Sequence, residues 1–222
     1  MSVEHLTLAA GTTRLPYLYS APASGTLAPA PLVLFLHGKR DAGTDLNLLL
    51  RWPLPQHVER SPGVPYHFAG PQLPADVSWR ERRSAVLALV EHLLQTRPID
   101  ASRVVLTGFS MGAAGGWELA VAHPEVFSAF VPVSGKVPEH YGPAEFERLR
   151  DIPVWAFNGE RDERAGPEQA RRGLAALEAA GGQTRFTEIA GGDHFIESAV
   201  YLDPVLEAWW LGQRRAALAP AV

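Results

Sequence analysis

The sequence predicts an α/β fold: a mostly parallel, twisted sheet with helices on both faces and no large cap. Three observations carry this. Short apolar runs of strand type alternate along the chain with longer segments of helical periodicity, the pattern that wraps helices around a parallel sheet. The runs Leu32–Leu36 and Val104–Leu106 are continuously apolar, as strands covered on both faces must be. The 222 residues, 46% of them hydrophobic, suffice for one sizeable core, with no repeat or low-complexity block, so residues 1–222 are expected to form one domain.

The elements follow in order. Val3–Ala9 and Leu15–Ser20 flank Gly11-Thr12-Thr13 and predict an opening hairpin. Ala21–Pro31, rich in Pro, Ala and Gly, reads as a loop before the Leu32–Leu36 strand. Tyr66–Ala69 is a short strand. Arg82–Gln95 carries Ala85, Leu89 and Leu93 on one face and predicts a helix. Arg103–Leu106 is a strand, and Met111–Ala122 is a helix stopped by His123-Pro124. Phe127–Val133 and Pro153–Phe157 are further strands. Pro167–Ala180 is a helix that opens on proline and ends at Gly181-Gly182. Arg185–Ile189 is the last strand and Pro204–Ala217 the closing helix.

Composition narrows the function. Net charge is −4, with 20 basic and 24 acidic residues spread along the chain, so no basic stripe points to nucleic acid. The absence of cysteine removes disulfides, thiolate metal sites and cysteine catalysis. No pair of histidines has the spacing of a metal site such as H-E-x-x-H, and no cofactor is expected. The N-terminus lacks a basic region followed by an apolar run, and no stretch approaches the ~18 apolar residues of a membrane span. A cytoplasmic protein is expected. Its expected partners are a small-molecule substrate and, at most, a second copy of the chain.

The chemistry is carried by Gly108-Phe109-Ser110-Met111-Gly112, a G-x-S-x-G at a strand-to-helix junction. A serine hydroxyl is a poor nucleophile unless exposed and set beside a base, and a sharp turn presents it that way. The base is expected in His194, in the Gly191-Gly192-Asp193-His194 loop after a strand. The orienting acid is expected in Asp162, in the loop after Pro153–Phe157. Asp193, Glu160 and Glu163 are alternatives; Asp193 is disfavoured because a sequence neighbour reaches the histidine ring awkwardly. All three of Ser110, Asp162 and His194 lie in post-strand loops, where open parallel sheets place their sites. Acyl transfer also needs donors for the developing oxyanion. The N–H of Met111, at the start of its helix, is one. The N–H of Lys39, in the His37-Gly38-Lys39 loop, is the other. His37 itself is expected to brace that loop, and His5, His57, His67, His92, His123 and His140 to be structural, those other than His92 and His123 near strand ends or in loops. Trp79 and Phe195 are candidate walls of the substrate pocket.

These pieces in this order resemble the α/β-hydrolase superfamily, in its compact phospholipase/carboxylesterase and "predicted peptidase" branch, which is also similar to feruloyl and polyhydroxybutyrate esterases. The resemblance runs from Leu15 to about Arg215. It covers Pro31–Gly38, Gly43-Thr44-Asp45, Gly70-Pro71-Gln72, Ile99–Arg103, Gly108–Gly112, Pro132–Gly135, Ile152–Asp162 and Gly191–His194. It implies Ser110 as nucleophile, Asp162 as acid, His194 as base and Lys39 and Met111 as oxyanion donors. The activity it implies is hydrolysis of short-to-medium acyl esters, with an acyl-thioesterase or small-peptide peptidase on the same residues as the alternative and a non-catalytic binding protein as the remote one. Departures from the family pattern fall near the pocket: Lys39-Arg40 after His37-Gly38, Ala113-Ala114 after Gly112, Arg161 after Glu160, and Phe195-Ile196-Glu197 after His194. The segment Ser134–Ile152, where such folds insert a cap, is too short for several helices and predicts an open, shallow site.

Overall fold

The computed structural model describes residues 3–10, 13–22, 29–61 and 63–215. Eight strands form one sheet: β1 (Glu4–Ala10), β2 (Thr13–Ser20), β3 (Ala30–Leu36), β4 (His67–Pro71), β5 (Ile99–Phe109), β6 (Ala129–Val133), β7 (Val154–Gly159) and β8 (Thr184–Ile189). Their spatial order is β1-β2-β4-β3-β5-β6-β7-β8. The β1–β2 and β2–β4 pairs are antiparallel, and every pair from β4 through β8 is parallel. The expected strands are all present. Gly11 and Thr12 of the expected hairpin turn, residues 23–28 of the expected loop, and residues 216–217 of the expected closing helix lie outside the described residues.

The side-chain alternation of a strand divides the core into two layers. Leu32, Leu34 and Leu36 of β3, with Val104 and Leu106 of β5, face a cluster that includes Trp79, Leu89, Leu93, Trp117 and Leu177. Val33, Phe35, Val105 and Phe109 face the opposite cluster, with Leu54, Val58, Val200, Leu206 and Trp210. The first layer is covered by α2 (Trp79–Thr96), α3 (Met111–Ala122), α4 (Pro143–Leu149) and α5 (Pro167–Ala179). The second is covered by α1 (Pro53–Arg60), α6 (Glu197–Tyr201) and α7 (Pro204–Gly212). Among the described helices none is long and apolar enough to cross a membrane.

Several elements differ from expectation, among them α1, α2 and the closing helix. The helix expected over Arg82–Gln95 starts earlier, at Trp79, because Ser78 and Glu81 close a capping box: the Glu81 side chain accepts from the Ser78 N–H at 2.8 Å, and the Ser78 hydroxyl accepts from the Glu81 N–H. Helix α1 has Pro53 in its first turn and buries Leu54 and Val58, so His57, expected near a strand end or in a loop, is helical. Proline suits that first turn because the missing N–H would have had no intrahelical partner. The closing helix ends at Gly212, short of the expected Ala217. Between β6 and β7 lies only the short helix α4, so no multi-helix cap stands over the carboxyl ends of the strands.

Candidate active site

The turn from β5 into α3 is as tight as the motif requires. Ser110 has φ 55° and ψ −113°, a conformation that side chains rarely adopt and that turns with bound function retain. Its amide donates to the Val133 carbonyl of β6 at 2.9 Å, which ties the turn to the neighbouring strand. The two flanking glycines are needed for space. A Cβ on Gly112 would stand 1.9 Å from the Leu36 carbonyl oxygen, and one on Gly108 would stand 2.5 Å from the Gly112 carbonyl carbon. Met111 is the first residue of α3, so its N–H is among those that a helix leaves without an internal acceptor.

The structure brings Ser110, His194 and Asp162 together from three loops far apart in sequence. His194 Nε2 lies 2.9 Å from Ser110 Oγ, and Nδ1 lies 2.8 Å from Asp162 Oδ2. An ionised Asp162 can only accept, so it selects the tautomer with hydrogen on Nδ1 and leaves Nε2 free to accept from the serine hydroxyl. The other oxygen, Oδ1, accepts the N–H groups of Arg164 at 2.8 Å and Ala165 at 2.9 Å. The Asp162 side chain is fully buried, and with these bonds both of its oxygens are occupied. The alternatives for the acid are engaged elsewhere. Asp193 Oδ1 accepts from the Phe195 N–H, and Glu160 Oε2 accepts from the Gly191 N–H. Glu163 is exposed.

The His37 loop stands on the other side of the serine. His37 is fully buried; its Nδ1 donates to the Gly38 carbonyl at 2.7 Å and its Nε2 accepts from the Leu73 N–H at 3.0 Å. Burial pushes its pKa down to about 4, so it stays a neutral brace, as expected from the sequence. Lys39 opens a short 3-10 turn, Lys39–Asp41, and lines the same depression as Ser110 and His194. That depression holds only about 50 Å³, in keeping with the shallow site expected.

Trp79 and Phe195 take different positions. Trp79 is 3% exposed, donates its indole N–H to the His37 carbonyl at 3.1 Å and lies against Gly115, where a Cβ would stand 2.3 Å from the tryptophan. It braces the His37 loop from below and also forms part of the floor of an apolar groove of about 440 Å³ that runs past Met111 and Val137. Phe195 is 38% exposed and lines the depression directly. Its ring is stacked on Trp52 with an 11° interplanar angle, and it packs with Phe109 against the His194 imidazole.

Sequence reasoning gave no role to Arg164, Trp52 or the two buried acids Asp41 and Glu197. Asp41, 1% exposed, accepts from the Trp52 indole N–H and has its other oxygen without a partner among the described residues. Glu197, 3% exposed, likewise has Oε1 unpartnered. Burial, with the nearby Asp41 and Asp193 charges adding to it, pushes Glu197 up to about 7. Burial also raises Asp41.

Comparison with known proteins sets this geometry in a family. NocK of Nocardia uniformis subsp. tsuyamanensis, which is named as an esterase, is 29% identical over 166 residues, 69% of this chain and 46% of its own length. The chain thus spans about half of that curated relative. The crystal structure of a thermostable esterase superposes with a TM-score of 0.81 at 28% identity, covering 96% of this chain and 64% of that one. An acylaminoacyl peptidase of Pyrococcus horikoshii shares the fold at TM-score 0.74 and 14% identity, covering 98% of this chain and 43% of its own. The eight-stranded, mostly parallel sheet is therefore the α/β-hydrolase fold. The family model for Phospholipase/Carboxylesterase matches residues 79–200, more than half of the chain and a span that holds Ser110, Asp162 and His194. The chain belongs to the phospholipase/carboxylesterase family.

Proposed function

We propose that this chain is a serine carboxylesterase that hydrolyses short-to-medium acyl esters through an acyl-enzyme on Ser110. The observation that carries the reading is the continuous hydrogen-bonded line from Asp162 through His194 to Ser110 at a strained strand-to-helix turn. In this reading Ser110 Oγ attacks the ester carbonyl as its proton passes to His194 Nε2. The imidazolium is held by the buried Asp162 carboxylate. The N–H groups of Lys39 and Met111 receive the negative charge that develops on the carbonyl oxygen. His194 returns the proton to the departing alkoxide, and an alcohol leaves. Water then enters, loses a proton to His194 and attacks the acyl carbonyl. The proton goes back to Ser110, and a carboxylic acid is released.

The shallow depression and the neighbouring apolar groove favour acyl groups of modest length over a substrate that must be enclosed. The test is a panel of p-nitrophenyl esters of rising acyl length, with a thioester and an acyl-peptide amide beside it, on wild type and Ser110→Ala. Turnover of the esters by wild type and its loss by a factor of 10³ or more in Ser110→Ala is expected. Equal turnover by both proteins removes Ser110 from the chemistry, and faster cleavage of the peptide amide moves the chain to the peptidase reading.

A further inference from the structure

The mouth of the site has an arrangement of cations that ester hydrolysis alone does not need. Phe195 follows His194 directly, and two guanidinium groups face its ring: Arg40 at 5.1 Å from the centroid and Arg164 at 5.4 Å. Arg40 comes from the loop that carries Lys39, and Arg164 from the loop that carries Asp162. Both line the depression that holds Ser110 and His194, as does Lys39. Some arginines elsewhere meet acids, as in Arg80–Glu118, Arg171–Glu188 and Arg214–Asp100. Among the described residues Arg40 and Arg164 make no such ion pair, although the chain as a whole is acidic, at −4.

Among the described residues the carboxyls nearby form no ion pair with them, although the Arg40 charge acts on Asp41. Asp162 is held by His194 and two main-chain amides. Asp193 caps the Phe195 amide. Asp41 also lines the depression; it is 1% exposed and held by the Trp52 indole N–H, with burial raising its pKa and the Trp52 hydrogen bond and the Arg51 and Arg40 charges opposing that rise. Glu197 is buried and shifted the same way. Glu163 is exposed beside Arg164 in sequence and forms no ion pair with it. Cation–π contact with a partly exposed ring is weak compensation for leaving two guanidinium groups at the site without an ion pair. A guanidinium is, however, well shaped to hold a carboxylate by two parallel hydrogen bonds.

We infer that Arg40 and Arg164, aligned on the Phe195 ring, form an anion-binding subsite, and that the esters cleaved at Ser110 carry a carboxylate a few bonds from the scissile carbonyl. The inference rests on the reading of Ser110 as an ester-cleaving nucleophile. The short spacer follows from proximity. Ser110, His194 and both arginines line one small depression, which places the reacting carbonyl and the anion near one another. The carboxylate belongs to the acyl part or to the alcohol part, and the chemistry that recognises it is the same.

Two pairs of matched esters separate these cases. On the acyl side, mono-p-nitrophenyl glutarate is compared with p-nitrophenyl valerate. On the alcohol side, 4-acetoxybenzoate is compared with its methyl ester. kcat/KM is measured at low ionic strength for wild type, Arg40→Gln, Arg164→Gln, the double variant and Arg164→Glu, after subtraction of enzyme-free hydrolysis. Wild type is expected to favour the anionic member of one pair by about tenfold, the combined effect of two partly exposed ion pairs. That ratio falls towards one in the double variant and inverts in Arg164→Glu. In wild type it shrinks to about twofold in 0.5 M NaCl, because exposed charges are screened. Turnover of the neutral esters with no anionic preference in either pair overturns the subsite and leaves the esterase reading standing. A preference that survives unchanged in the double variant also overturns it. No turnover of any of the four esters overturns the esterase reading, and the subsite falls with it.

Discussion

Replacing Glu197 by Gln should make the protein more stable, and increasingly so as pH rises. The carboxyl is 3% exposed, its Oε1 has no partner among the described residues, and Asp41 lies close enough to oppose its charge. Its folded pKa is pushed from the ordinary value near 4.5 up to about 7. Below 4.5 the group is neutral in both the folded and unfolded chain, so it has no effect on the balance. Between 4.5 and 7 the unfolded chain gives up its proton while the folded chain keeps it, and folding becomes less favourable. Above 7 the penalty is complete, at about 3 kcal/mol if each pKa unit is taken as 1.36 kcal/mol. Glutamine keeps the shape and carries no charge. Urea unfolding of both proteins at intervals from pH 4.5 to 8.5 gives the difference directly, with the titrating groups remote from Glu197 cancelling. The two should be nearly equal at pH 4.5, and Glu197→Gln should be the more stable by about 2–3 kcal/mol at pH 8.5, or roughly 5–12 °C in Tm for a chain of this size. A difference that does not change with pH would refute the claim that Glu197 is held neutral by burial.

Three further outcomes follow from the site. Gly112→Ala places a methyl group 1.9 Å from the Leu36 carbonyl oxygen, where main chain cannot yield cheaply; loss of several kcal/mol of stability, or failure to accumulate as folded protein, should be seen by thermal melts and soluble yield. His37→Leu leaves the Leu73 N–H and the Gly38 carbonyl without their side-chain partner in the core, and denaturant titration should show a cost of about 2–4 kcal/mol. Asp162→Asn should lower kcat by a factor of about 10³–10⁴, since an amide no longer selects the productive imidazole tautomer, while Asp193→Asn should lower it less than tenfold; equal losses in the two variants would contradict the assignment of the acid.

The parts of the molecule that local chemistry dictates were legible in the sequence. Strand alternation and continuous apolar runs gave the parallel sheet, and helix α3 was bounded correctly because Ser110 and His123-Pro124 mark its ends. Pro167 and Gly181-Gly182 bounded α5 within one residue. The three residues joined at the site could be named because each follows a strand and their chain order is informative. Helix α1 was not legible, because its two prolines obscure a helical period that only the burial of Leu54 and Val58 brings out. The early start of α2 had a signal, the Ser78–Glu81 capping box, that the apolar periodicity of Arg82–Gln95 overshadowed. The sequence offered Trp79 as a pocket wall, and only the Gly115 contact and the His37 carbonyl show that it braces the His37 loop as well as flooring the groove. The Arg40–Phe195–Arg164 cluster and the Asp41–Glu197 pair draw on segments remote from one another in sequence. No periodicity or spacing brings such residues together; only the folded sheet does.

The central claim is that Ser110 becomes covalently acylated. Its most direct test is intact-mass and peptide mass spectrometry of protein quenched in acid during turnover of a p-nitrophenyl ester. One acyl group per chain, mapped to the peptide that contains Ser110 and missing from Ser110→Ala, is the predicted result. Sustained ester hydrolysis by wild type with no acyl adduct on Ser110, or the same adduct on another residue in Ser110→Ala, would contradict it.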